Sequence, residues 1–121
     1  MLLLYLGSVI IILWGIGHLA PTSGIVKGFG DLTSDNRRII TMEWIAEGLT
    51  LIFLGVLPLL VTALAGPDAG AADIVYRSVA GMLIVLAVLS LTSGARTSVL
   101  PMKLCPAVKT VAAALILIGS L

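Results

Sequence analysis

The residues best suited to chemistry are two glutamates in an otherwise apolar stretch, Glu43 and Glu47. They are four residues apart, so a helix would place both carboxylates on one face. A charge at the centre of a membrane-spanning helix costs about 2.5 to 3.5 kcal/mol on insertion scales, so each carboxylate needs a partner or a function. Like charges on neighbouring turns also oppose each other's ionisation, and we expect at least one to hold a proton near neutral pH. The spacing predicts an acid–base pair that acts as proton donor and acceptor.

Other polar and aromatic side chains are expected at the same depth. His18 closes the first apolar run and is the third candidate catalytic residue, able to tune the pair or relay a proton. Arg96 or Lys109 would balance charge or hold an anionic group. Hydroxyl groups near the end of the third apolar run complete a predicted polar cavity: Ser90, Thr92 and Ser93. The candidate ligand-binding residues are Trp44, Thr50, Trp14 and Arg96.

A purely structural interpretation of these residues stays open. In it, Glu43 extends to the lipid headgroups, Glu47 pairs with a basic neighbour, and His18 only ends its helix. A metal is not predicted, because one histidine with two glutamates is far weaker than a His-rich signature. No cofactor is predicted either.

The elements that would position these residues are helices, because the chain is too apolar for a water-soluble fold. Of its 121 residues, 60% are hydrophobic and 11% are charged, and the mean hydropathy is +1.21. Hydrocarbon offers the backbone no hydrogen-bond partner, so the apolar runs must be helical. We predict an all-α fold, an integral membrane four-helix bundle, in which residues 1–121 form a single transmembrane domain. The predicted spans are about 2–19, 37–64, 74–93 and 105–121.

Charge placement predicts a multi-pass protein of the cell membrane with both termini on the non-cytoplasmic side. The loop between the second and third spans carries Asp68 and Asp73. Basic residues instead gather between spans one and two and between spans three and four, and basic loops stay cytoplasmic. These residues are Lys27, Arg37, Arg38, Arg96 and Lys103.

Two helix starts carry local signals. Thr33, Ser34 or Asp35 is expected to cap the second span, since a side-chain oxygen there can accept from free backbone amides. Asp73 and Arg77 are four residues apart and predict an ion pair on the helix surface.

Charge and cysteine content exclude several classes of function. The net charge of +1 and the scattered basic residues give no support for nucleic-acid binding. The single cysteine, Cys105, excludes an intrachain disulfide and any motif that needs two thiols. We expect it to be a small buried residue.

The first span closes as Trp14-Gly15-Ile16-Gly17-His18-Leu19-Ala20-Pro21. In this stretch, and in architecture over the whole chain, the sequence resembles the small DoxX-like membrane proteins. The resemblance implies a four-helix bundle. The family is named after a subunit of a quinone-linked thiosulfate oxidoreductase, but no catalytic residue is transferred from it. Cysteine pairs of some redox members are missing, which counts against thiol redox chemistry.

Three functions fit these observations. We favour a non-catalytic or accessory subunit of a membrane complex. The first alternative is a membrane enzyme of isomerase, cyclase or hydrolase type that uses Glu43 and Glu47 on a lipophilic substrate. The second is a proton-coupled transporter that works as an oligomer. The expected partners are the lipid bilayer, further copies of the chain or a larger complex, and a lipophilic small molecule.

Overall fold

The protein folds entirely into helices, as a computed structural model covering all 121 residues describes it. Its elements are α1 (Leu2–Leu19), α2 (Thr22–Gly28), α3 (Ser34–Leu60) continued by a π-helical turn (Val61–Ala65), α4 (Ala72–Thr92), a 3₁₀ turn (Gly94–Arg96) and α5 (Leu100–Gly119). Four of these helices, α1, α3, α4 and α5, are long and apolar enough to cross a membrane. The prediction of an all-α four-helix bundle is confirmed.

The helix boundaries follow local chemistry. The side-chain oxygen of Thr33 accepts a hydrogen bond from the backbone amide of Asn36 at 3.1 Å, so α3 begins at Ser34, earlier than the predicted span. Helix α5 begins at Leu100 rather than near residue 105, because Pro101 lies in its first turn. Backbone N–H groups of a first turn have no acceptor within the helix, so the missing N–H of a proline costs nothing there. The short helix α2 was not predicted.

Helix α1 lies at the centre of the packing. It contacts α3 on one side and α5 on the other, and α4 packs against α5, whereas α3 and α4 touch only sparingly. Glycines allow the close approach of α1 and α3: a Cβ on Gly55 would lie 2.6 Å from the carbonyl oxygen of Ser8, and one on Gly15 would lie 2.9 Å from that of Gly48. The second half of α1 therefore lies against the first half of α3. The second half of α4 likewise lies against the first half of α5.

The outer surface is strongly apolar. Only 24 of 121 residues are buried, and every long helix exposes large hydrophobic side chains. A water-soluble protein rarely exposes such continuous apolar area. The surface is consistent with a multi-pass membrane protein. Examples of the exposed side chains are Leu13, Phe53, Val85 and Val111.

The end of the bundle near both termini is held by simple polar contacts. The Thr62 hydroxyl donates to the carbonyl of Pro58 at 2.7 Å, so it accepts from the fully buried Tyr76 hydroxyl at 2.8 Å. Arg77 Nε donates to Asp73 Oδ1 at 2.8 Å, which confirms the predicted surface ion pair.

Candidate functional site: a buried ion pair beside an apolar pocket

The opposite end of the bundle contains an ion pair between α3 and α5. Lys109 Nζ donates to Glu47 Oε1 at 2.9 Å and to the Ser90 hydroxyl at 2.8 Å. The Lys109 side chain is only 1% exposed, while that of Glu47 is 38% exposed. The Ser90 hydroxyl donates in turn to the carbonyl of Leu86. A lysine buried in an apolar bundle requires such acceptors, so this contact ties α5 to α3 and α4.

His18 lies against the same carboxylate from α1. Its ring stacks on the indole of Trp44, with ring centroids 4.0 Å apart and planes inclined by 14°. The Trp44 indole N–H donates to the backbone carbonyl of His18 at 2.8 Å, which fixes this orientation. His18 Nε2 lies 3.6 Å from Glu47 Oε2, beyond hydrogen-bond distance, and this buried nitrogen has no hydrogen-bond partner.

Cys105 completes the cluster one turn before Lys109 on α5. Its buried Sγ accepts from the Trp14 indole N–H at 3.4 Å, and the Ser90 hydroxyl lies 3.7 Å from it. Trp14 and His18 are likewise four residues apart on α1, so α1 and α5 each present two of these groups on one face. We call the set Trp14, His18, Trp44, Glu47, Ser90, Cys105 and Lys109 the polar cluster.

A large apolar cavity opens beside the polar cluster. It has a volume of about 400 Å³ and lies between the end of α1, the short helix α2 and the first turns of α5. Both tryptophans of the protein line it, together with His18 and Cys105. We call it the apolar pocket. Its remaining lining residues are Gly17, Pro21, Ile25, Val99, Leu100, Pro101, Met102 and Leu104.

A smaller cavity of about 130 Å³, the polar cavity, lies on the other side of His18. It is lined by the Glu47 carboxylate and by the Ser90 and Ser93 hydroxyl groups. Three residues line both cavities and form the wall between them: His18, Met102 and Cys105.

The structure brings together only some of the predicted site residues. His18 and Glu47 lie side by side, and Trp14 and Trp44 line the apolar pocket. Glu43 is exposed, forms no ion pair and lies outside both cavities.

The other two candidates also lie apart from the polar cluster. The Thr50 hydroxyl is satisfied by the carbonyl of Ala46, and Arg96 is exposed on the 3₁₀ turn. Neither residue lines the apolar pocket or the polar cavity.

The contact of Glu47 with Lys109 is the structural pairing that the sequence left open. The sequence predicted only a general charge-balancing role for Lys109 and a small buried residue at Cys105. Cys105 is indeed buried, but its contacts with Trp14 and Ser90 were not predicted. A usable signal was present: Lys109 is the only charged residue in the last apolar run, so a carboxylate of another span has to meet it. Cys105 precedes it by one turn and must face the same way.

The polar cluster carries no uncompensated charge, because the opposite charges of Glu47 and Lys109 lie 2.9 Å apart. Hydrogen-bond donors and acceptors converge there in surroundings of low dielectric constant, where their interactions are strong. No three His, Cys, Asp or Glu side chains lie close enough together to hold a metal ion. The arrangement can orient a polar group at the edge of the apolar pocket, and it places His18 Nε2 and Glu47 Oε2 3.6 Å apart, so that only a bridging group could carry a proton between them.

Comparison of the chain with family models, with curated proteins and with solved structures found no match. The resemblance of Trp14–Pro21 to the DoxX-like proteins stays a prediction.

Proposed function

We propose that the protein is inserted in a membrane as four spanning helices with both termini on the non-cytoplasmic side. The length and apolar surface of the four helices support insertion. The basic loops at the end that holds the polar cluster support the orientation.

Fusions of a reporter after Leu121 test this orientation. Alkaline phosphatase, which is active only outside the cytoplasm, should be active there, and green fluorescent protein should stay dark after export through the general secretion route. The opposite pattern would reverse the orientation, and recovery of the protein without membranes would refute insertion.

We further propose that this membrane protein binds a lipophilic small molecule in the apolar pocket. The observation that carries the proposal is the pocket itself: about 400 Å³, lined almost entirely by apolar groups and closed at one side by the polar cluster. Ligand sites are typically about 300 to 1,000 Å³, mostly apolar, with a few placed polar groups. The stacked tryptophan and histidine rings give the wall a fixed shape, which favours binding without reorganisation.

Tryptophan fluorescence is a direct probe of this pocket, because its two tryptophans are the only ones in the protein. We expect bromodecane, a heavy-atom quencher, to quench the emission saturably in lipid nanodiscs. Quenching from the surrounding bilayer alone would rise without saturation.

Two glycine variants separate pocket binding from bilayer quenching. Gly17 lines the pocket and has open space around a Cβ, so Gly17→Phe should fill the pocket and remove the saturable part. Gly81 on α4 has the same open space but lies outside the pocket, so Gly81→Phe should leave it intact. Equal, non-saturating quenching in all three proteins would refute the proposal.

A membrane enzyme is the second candidate, supported by the position of His18 beside Glu47 at the pocket wall. In this version Glu47, held by Lys109 at 2.9 Å, and His18 carry out the proton transfers on the bound molecule. Turnover of a bound lipophile that Glu47→Gln abolishes, while bromodecane still binds, would favour this candidate; binding without any turnover would count against it. The accessory-subunit and transporter hypotheses stay predictions.

A further inference from the structure

The nitrogen Nε2 of His18 is a buried polar atom without a partner. The side chain is only 5% exposed, and Glu47 Oε2 lies 3.6 Å away. An unsatisfied buried polar atom costs roughly 1 to 3 kcal/mol, so native proteins usually provide a partner. A molecule that enters the site can supply this partner.

The surroundings of this nitrogen select a small polar group on an apolar body. His18 belongs to the wall between the apolar pocket and the polar cavity, and Glu47 lines the polar cavity. Met102 shares that wall, and the flexible side chain of a methionine can move to join the two spaces. One molecule can then place an apolar body in the larger space and a polar end in the smaller one.

The charges of the polar cluster exclude a charged end. Lys109 already donates to Glu47 and Ser90, so an anion finds no free cation there. A cation would compete with Lys109 for Glu47 across a contact of 2.9 Å. A neutral group leaves that pair intact and avoids the cost of burying a third charge.

A hydroxyl is the neutral group that fits best. It donates and accepts at one oxygen atom, so it can accept from or donate to His18 Nε2, whichever tautomer is present. With the Nε2–H tautomer of His18, the hydroxyl oxygen accepts from His18 and its one hydrogen can donate to Glu47 Oε2, which receives no hydrogen bond in the structure. A carbonyl only accepts, and an alkylamine is protonated near neutral pH and would bring in a third charge.

We infer that the natural ligand is a neutral lipophilic alcohol or phenol, with its body in the apolar pocket and its hydroxyl between His18 Nε2 and Glu47 Oε2. This inference rests on the proposed lipophile binding and adds the ligand class.

Competition among molecules with one chain and different ends tests the ligand class. Decane, decanol, decanoate and decylammonium would each be used to displace bromodecane in nanodiscs, at equal mole fractions in the bilayer, with recovery of tryptophan emission as the readout. We expect decanol to displace the quencher at about a tenfold lower mole fraction than decane, which corresponds to one hydrogen bond to a charged or buried group. The charged analogues should be weaker than decanol.

A variant assigns the preference to His18. His18→Phe keeps an aromatic ring against Trp44 but removes both nitrogens, and the decanol preference over decane should fall to about twofold or less. Tyr5→Phe removes a polar atom near the other end of α1 and should leave the preference unchanged.

The possible failures are distinct. Equal displacement by decane and decanol would overturn the ligand class while the pocket proposal stands, and so would tighter binding of decanoate or decylammonium. A decanol preference that persists in His18→Phe would overturn the role of His18. Absence of saturable bromodecane quenching would remove the proposed function and this inference together.

Discussion

The ion pair between Glu47 and Lys109 predicts that two substitutions of one contact have unequal costs. Glu47→Met leaves Lys109, which is 1% exposed, with Ser90 as its only acceptor. Removing one partner of a buried pair costs about 3 to 5 kcal/mol, and the remaining acceptor places this case at about 3 kcal/mol of unfolding free energy. Lys109→Met leaves the Glu47 carboxylate, which is 38% exposed and can turn to water or a headgroup. Its cost should be about 1 kcal/mol.

The double variant measures how strongly Glu47 and Lys109 depend on each other. With both residues changed to Met, no unpaired charge stays in the bundle, and its free energy of unfolding should lie within about 1 kcal/mol of the original protein. The coupling free energy from the cycle would then be about 3 to 5 kcal/mol. An exposed pair should show almost none, and Asp73 with Arg77 provides that control, with an expected coupling of at most about 0.5 kcal/mol.

Unfolding by SDS in mixed micelles would measure these values by far-ultraviolet circular dichroism. A fluorogenic maleimide gives a second readout, because Cys105 is the only thiol and is buried in the folded protein. A Lys109→Met variant at least as destabilised as Glu47→Met would refute the expected difference in cost. Additive costs in the double variant would equally refute the expected coupling.

Three further perturbations have defined outcomes. Gly55→Ala should lower the free energy of unfolding by about 1 to 3 kcal/mol, because the new Cβ would lie 2.6 Å from Ser8 O. Gly81→Ala has open space around its Cβ and should be neutral or stabilising. Thermal unfolding in detergent compares the two variants, and equal effects would argue against tight packing of α1 on α3. Thr62→Val should lower the free energy of unfolding by about 1 to 3 kcal/mol, because it leaves the buried Tyr76 hydroxyl without an acceptor. Tyr76→Phe should lower it by about 1 kcal/mol or less. The reverse order in the same assay would contradict the assigned direction of this hydrogen bond. Trp14→Phe removes the donor to Cys105 Sγ and should raise the maleimide labelling rate of the folded protein about two- to fivefold. Trp44→Phe, the control, should raise the rate less. An unchanged rate in Trp14→Phe would show that this contact does not protect the thiol.

The helices were predictable because their signals are local. Four apolar runs, the Thr33 cap and the spacing of Asp73 and Arg77 depend only on neighbouring residues, and the structure contains all of them. Helix α2 was not predictable in the same way, since Thr22–Gly28 is seven residues long and contains two glycines, so neither length nor periodicity marks it.

The site depended on helix rotation, which the sequence specifies weakly. Helix α3 is apolar on nearly all sides around Glu43 and Glu47, so the pattern did not decide which carboxylate turns inward. That choice depends on the glycines that set the approach of α3 to α1 and on the need of Lys109 for an acceptor. Both are contacts between distant parts of the chain. The i,i+4 spacing was correct as geometry, but a partner on another helix separated the roles of the two glutamates.

The central position of α1 has a consequence for biogenesis. This helix precedes both of its main packing partners in the chain, and one of them, α5, is translated only after α3 and α4. With the proposed insertion in a membrane, the face of α1 that packs on α5 would contact only lipid until α5 is made, and the close contact of Gly119 with the backbone of Leu4 could not form. The packing around α1 is therefore complete only after α5 is made. Under the same proposal, ribosome stalling before α5 would leave α1, α3 and α4 loosely assembled, the kind of intermediate that membrane chaperones and proteases recognise.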